Sequence, residues 1–246
     1  WLASERGGFA PIVAADLVKG DPPVFDFSVG STFMGQGSPK GDLEHLSVGI
    51  SAAMAAEKAD VGIGRYAEAR VMYRSPAFET QTDTMPERRT IHLGIDLYMA
   101  PGSPVKAFID GKIHSLNNND AHQDYGPTII LEHAAGNTPF FTLYGHLSLE
   151  SLEGLEPGRP VVKGEAFARI GDMDVNGGWP PHLHFQVITD MLDEAGNFPG
   201  VARPSRQAIW KSLCPDPNFV LGMPEHRLDA RARTKQSILA FRKAHI

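Results

Sequence analysis

Residues 179–188 read WPPHLHFQVI, and the alternation within this run decides how the chain is read. Side chains alternate across a strand with a period of two. His182, His184 and Gln186 therefore share one face, and Leu183, Phe185 and Val187 share the other. The second is a core face. The first carries two imidazoles, which either serve a site or decorate a surface.

The same texture extends outward from this run. Between about residues 90 and 190, short apolar runs alternate with Gly/Pro turns: RTIHLGIDLYM (89–99), VKAFIDGKIHSL (105–116), PTIILEH (127–133), TPFFTLYGHL (138–147) and PVVKGEAFARIGD (160–172). Asp110-Gly111 and the AAGN stretch at 134–137 carry hairpin signals, and NNNDAHQDYG (117–126) reads as a polar loop. Six or more short strands joined this way predict a mainly β fold, a β-rich α+β architecture. It would be an antiparallel sheet forming a small sandwich or partly open barrel, with extra helices near both ends.

The flanks are helical. Leu43, Leu46, Ile50 and Met54 recur at three- and four-residue steps, which predicts one amphipathic helix from Asp42 to about Ala59. SRQAIWKSL (205–213) reads as a short helix, and EHRLDARARTKQSILAFRKAHI (225–246) as a basic one. The expected organisation is an N-terminal extension over residues 1–75 packed on the domain, a β-domain over 76–200, and a C-terminal helical extension or linker over 201–246. The chain starts at Trp1 without an initiator Met and its last helix looks cut, so the expectation is a segment of something longer.

Bulk properties narrow the function. A net charge of −6 leaves no broad basic face, which argues against a nucleic-acid partner. No window has the apolar length of a transmembrane segment, and the start is no signal peptide. One cysteine, Cys214, rules out an internal disulfide and a multi-cysteine zinc site; it reads as a small semi-buried thiol.

The chemistry concentrates in three segments. IHLGIDL spaces His92 and Asp96 four apart, TLYGHL sets His146 beyond Thr142 and Tyr144, and PHLHF supplies His182 and His184. Two imidazoles and one carboxylate suit a first-row divalent metal, and on zinc they leave an open position for water. Two further histidines could act as base and as donor to a developing oxyanion. His45, His114, His122, His133, His226 and His245 have no such partners and read as ordinary histidines.

The order of these motifs, with HLGIDLYMAPGSPVKAFIDGKI, YGPTIILEH, TLYGHLS, LEPGRPVVKGEAFARIGD and PPHLHFQV between about residues 90 and 188, resembles the lysostaphin/LytM-type zinc metalloendopeptidases. The resemblance implies one zinc (Zn2+) per chain, held by His92, Asp96 and His184, with His146 and His182 as the catalytic pair. It implies hydrolysis of a peptide or amide bond by zinc-bound water, the family substrate being peptidoglycan cross-link peptides, and a LytM-type β-fold. Two loops depart from the family pattern, GDMDVNGGWPP (171–181) and NNNDAHQDYG, and both are expected to rim the groove.

A narrower resemblance, carried by YAEARVMYRSPAF, NGGWPPHLHFQVITDML and CPDPNFVLG, is to the peptidase module of fusion proteins with phosphotransferase-like and class-III aminotransferase-like neighbours. It implies covalent neighbour domains and a cytoplasmic setting, whereas a typical cell-wall peptidase works in the envelope or periplasm. Three readings compete with the enzyme. A catalytically silent LytM-like scaffold would be expected to lack ligands, and none is missing. A non-haem iron facial triad favours His-x-Asp and needs no extra histidine pair. A lipoyl-type hairpin at PVVKGEAF lacks the lysine at its tip.

Overall fold

The computed structural model describes residues 1–28, 31, 33, 43–80, 86–228 and 243. Its centre is an eight-stranded sheet. In chain order the strands are β1 (Val24–Phe25), β2 (Gly62–Gly64), β3 (Ile95–Tyr98), β4 (Gly111–Asn119), β5 (Gly126–Ala135), β6 (Thr138–Gly145), β7 (Pro160–Val161) and β8 (His182–Ile188). In space they run β1-β2-β3-β8-β6-β5-β4-β7. All neighbours are antiparallel except β1 and β2, so the expected mainly β, antiparallel-rich fold is what the chain adopts.

The period-two reading of residues 182–188 holds residue by residue. Leu183, Phe185 and Val187 lie in the main core with Ile95, Leu97, Ile129, Leu131 and Tyr144. Burying apolar side chains of this size contributes about 1.5–3 kcal/mol each, which pins the strand register. Because a one-residue slip would turn that set to the other face, the same burial fixes where His182 and His184 point. The AAGN hairpin also forms: β5 and β6 are joined through Gly136-Asn137, with Gly136 at φ +61. A positive φ is the conformation that tight two-residue turns require and glycine adopts freely.

Three expectations need correction. Asp110-Gly111 is not a hairpin tip, because Pro104–Lys106 pairs with Ala166–Arg169 and not with β4. The Asp110 carboxylate instead accepts the Lys163 N–H, at 2.7 Å. Asn117, Asn118 and Asn119 continue β4 opposite Thr128, Pro127 and Gly126, leaving only 120–125 as loop. Their polarity read as loop, yet the sheet satisfies it: the Asn119 amide donates to Thr128 Oγ1 and to the Gly196 carbonyl. Finally, IHLGIDL is not one extended run. Ile91–His92 pairs with Val201–Ala202, and β3 starts afresh at Ile95.

The helix predicted from Asp42 covers Leu43–Glu57; Asp42 itself lies outside the described residues. It buries Leu43, Leu46 and Ile50 in a second core with Phe25, Phe27, Tyr73, Tyr98 and Trp179. Gln207–Leu213 is helical as expected. Of the basic C-terminal segment, Glu225–Leu228 is helical, and almost all of the remainder lies outside the described residues. Among the described residues no helix is long and apolar enough to cross a membrane.

One buried polar chain crosses the sheet. The ring of His133 donates from Nδ1 to the Asp110 carbonyl at 2.9 Å, and its Nε2 lies 2.8 Å from Thr142 Oγ1, which is 3.2 Å from the Tyr144 hydroxyl. The neutral ring is the form that burial of His133 favours. Burial pushes its pKa from 6.5 down to about 4. A depressed histidine pKa means the unfolded chain binds the extra proton first. The stability is complete above pH 6.5 and is lost as pH falls towards 4, reaching about 3 kcal/mol there. In urea unfolding with a chelator present, His133→Gln should flatten the loss of stability between pH 6.5 and 4 by about that amount; an unchanged slope would show that His133 does not titrate this way.

Candidate active site

Strand pairing brings the first and third motifs onto one face. In the β3–β8 ladder, His184 stands directly opposite Asp96, and His182 opposite Tyr98. Cross-strand partners place their Cβ atoms within about 4.5–5.5 Å, so a carboxylate and an imidazole meet without any special loop. His92 arrives from the short Ile91–His92 strand just ahead of β3. The result is tight: His92 Nε2 is 3.1 Å from Asp96 Oδ1, His184 Nδ1 is 3.3 Å from the same oxygen, and the two ring nitrogens are 3.0 Å apart. These three groups could together hold a metal ion.

His146 and His182 lie beside them, ring centroids 4.2 Å apart. His182 stacks on the Tyr98 ring, and its Nε2 is 3.7 Å from Asp96 Oδ1. His146 follows the end of β6 with a left-handed backbone, φ +61, that turns its side chain inward. All five groups the sequence singled out are therefore brought together, and all are at most 5% exposed.

The outer partners fix the tautomers. His92 donates from Nδ1 to the Arg65 carbonyl at 2.9 Å, and His184 donates from Nε2 to Gln186 Oε1 at 2.9 Å. Gln186 is oriented in turn by its amide nitrogen, which donates to the Pro199 carbonyl and to Cys214 Sγ. His146 donates from Nδ1 to the Asn176 carbonyl, and His182 from Nδ1 to the Pro180 carbonyl. Each ring thus directs one N–H outside the site.

Electrostatics reinforce this. Burial, then the nearby Arg70 charge, pushes His92 down to about 4. Burial lowers His182, and burial with the neighbouring His182 and His184 holds His146 well below the ordinary histidine range. Burial by itself would raise the Asp96 carboxyl, but Arg70, His92 and His182 outweigh it and hold it well below the carboxylate range.

The residues that sequence reasoning missed come from the segment before the site. Arg70 donates to Asp96 Oδ2 at 2.6 Å, and both side chains are at most 2% exposed. Glu68 pairs with Arg70 and with Arg65, which also pairs with Asp26. The only signal was Glu68 and Arg70 standing two apart among small and apolar residues in YAEARVMY. His122, read as ordinary, lines the site cavity instead.

That cavity has a volume of about 340 Å³. Met72, Tyr73 and Phe78 wall one side, and Phe198 and Val201 another. His122, Gln123 and Tyr125 from one departing loop and Trp179 from the other complete it, so both loops stand at the site as expected.

No curated protein matches the chain. Among solved structures, 54% of it is similar to 80% of the catalytic domain of the antimicrobial peptidase lysostaphin from Staphylococcus simulans, at 26% identity and a TM-score of 0.39. A zinc-containing peptidase from Vibrio cholerae is similar at 27% identity and a TM-score of 0.32, over 46% of this chain but only 34% of that one. A variant catalytic domain of the prophage-encoded M23 protein EnpA from Enterococcus faecalis is similar at 17% identity and a TM-score of 0.36, over 48% of this chain and 84% of that one. Residues 90–194, the span holding His92, Asp96, His146, His182 and His184, match the model of peptidase family M23.

Proposed function

We propose that the cavity is the active site of a zinc-dependent hydrolase of peptide or amide bonds, with His92, Asp96 and His184 as the metal ligands. One observation carries the reading. Three atoms with lone pairs, His92 Nε2, His184 Nδ1 and Asp96 Oδ1, converge within 3.0–3.3 Å of one another, and the rings' single protons are committed elsewhere. Protonating His92 to supply the missing hydrogen is opposed by its pKa of about 4. Such a cluster calls for a cation, and two imidazoles with one carboxylate fit zinc with a position left open.

Bound there, zinc would supply Lewis acidity at the scissile carbonyl and at the hydrolytic water. The protein's own part is proton traffic. His146 and His182 each present an unprotonated Nε2 and are held neutral by burial, so either can accept a proton at neutral pH. We assign the water proton to His146, whose Nε2 has no hydrogen-bond partner among the described residues, and its delivery to the leaving nitrogen to the same ring. His182, whose unprotonated Nε2 lies beside Asp96, is the second proton acceptor of the pair.

The M23 match supports peptidoglycan cross-link peptides as the substrate class. His122 and Trp179 at the cavity wall are the residues we assign to selecting among them.

Metal analysis of the purified chain should find about one zinc per protein, and stoichiometric iron would overturn the assignment. His184→Ala should lose both the metal and hydrolysis of cross-linked muropeptides. His146→Ala should keep the zinc and lose about 10²–10⁴-fold in turnover. Full turnover by the metal-loaded His146→Ala protein would refute the proton-transfer role.

A further inference from the structure

The M23 match begins at residue 90, yet two of the three proposed ligands are held from outside it. The Arg65 carbonyl takes the Nδ1 proton of His92, and Arg70 takes Asp96 Oδ2. We infer that residues 65–70 are positioning residues for the metal, with Arg70 restricting Asp96 to offering a single oxygen. The inference rests on the metal reading above.

The geometry around Asp96 divides its two oxygens. Oδ1 faces His92, His184 and His182, whereas Oδ2 receives Arg70 Nη1 at 2.6 Å and lies 3.5 Å from the Tyr98 hydroxyl. A charge-assisted bond of that length inside the protein is a strong one. It competes directly with any approach of Oδ2 to a cation. A carboxylate free to swing could chelate with both oxygens and fill the position a substrate needs; this one is held.

Arg70 is itself immobilised. Nε donates to Glu68 Oε2 at 3.2 Å, Nη1 also reaches the Tyr73 hydroxyl at 3.1 Å, and Nη2 reaches the Arg65 carbonyl at 3.4 Å. The guanidinium carbon sits 5.2 Å from the centre of the Phe27 ring. Glu68 is secured by accepting the Phe27 N–H at 3.0 Å. Space for the guanidinium is cut into the sheet at Gly64, which stands opposite Asp96 in the β2–β3 ladder. A Cβ there would come within 2.8 Å of Arg70 Nη2 and 3.0 Å of Asp96 Oδ2. An arginine, a carboxylate and a missing side chain from three segments thus fit one another.

Two full-length variants test this without removing a charge. Arg70→Lys keeps the cation but loses the fork that spans Asp96, Tyr73 and Glu68. Gly64→Ala keeps every partner and wedges Arg70 away from Asp96. Each should weaken Zn2+ binding, measured by chelator competition, by about 10–100-fold. Each should also change the visible absorption of the Co2+-loaded protein, as the coordination of the ion changes.

Circular dichroism of the metal-free proteins establishes that they are folded. If Arg70→Lys does not fold, Gly64→Ala carries the test. A folded variant with Zn2+ affinity within twofold of wild type and an unaltered Co2+ spectrum would overturn the inference, even if its thermal stability fell. A wild-type protein that bound neither Zn2+ nor Co2+ would overturn the metal site itself, and this inference with it.

Discussion

The structure depends on one buried anion. Asp96 is 1% exposed, and leaving a carboxylate unpaired at such depth costs several kcal/mol. Its two oxygens are stabilised from opposite sides, by Arg70 on one and by imidazoles on the other. Arg70 is as deeply buried and needs Glu68, which needs Arg65, which reaches Asp26. The charges alternate outward from the site, −, +, −, +, −, until they arrive at half-buried side chains. Buried ion pairs seldom stabilise a fold more than well-packed apolar groups would. Their value lies in permitting only one arrangement, and here that arrangement sets the direction of a candidate ligand.

The same requirement explains why the flanking segments pack where they do. A sheet strand alone could aim His184 and Asp96 at each other, but it could not exclude water from them. The exclusion comes from Tyr73 and Phe78 ahead of the matched segment, from Trp179 within it, and from Phe198 and Val201 beyond it. Tyr73 and Trp179 meet edge to face at 5.9 Å, so segments about a hundred residues apart close over the histidines together. Low dielectric strengthens every charge interaction inside and keeps His92, His146 and His182 neutral.

How much was legible in the sequence follows from what each signal depends on. The alternation in HLHFQVI is a local property of a strand, so it gave the core face and both imidazoles correctly. The AAGN turn is likewise local. Asp110-Gly111 failed because a hairpin needs a partner strand as well as a turn, and the preceding segment pairs instead with residues 166–169. Asn117–Asn119 failed because their polar side chains find partners, Gly196 among them, that lie far along the chain. Arg70 was invisible for the same reason: its partner is 26 residues away, and an isolated arginine carries no periodic signature. His92 and Asp96 were found through the motif, although the extended run imagined to hold them is broken at Leu93-Gly94.

The division of labour between strand and turn is the last consequence. Asp96 and His184 sit inside paired strands, where the ladder leaves the backbone little freedom, and ligands for an ion need that rigidity. His146 sits one residue past β6 in a left-handed conformation that costs a non-glycine residue of order 1–3 kcal/mol. That conformation persists because both sides of the residue are tied down. Its N–H donates to the Tyr125 carbonyl at 2.8 Å, and its carbonyl accepts from the Gly171 N–H at 2.9 Å. Tyr125 belongs to one of the two loops that depart from the family pattern, and Gly171 begins the other. The loops that wall the cavity therefore also hold the backbone of the histidine assigned to move the proton, so a change in either loop would alter turnover as well as substrate choice.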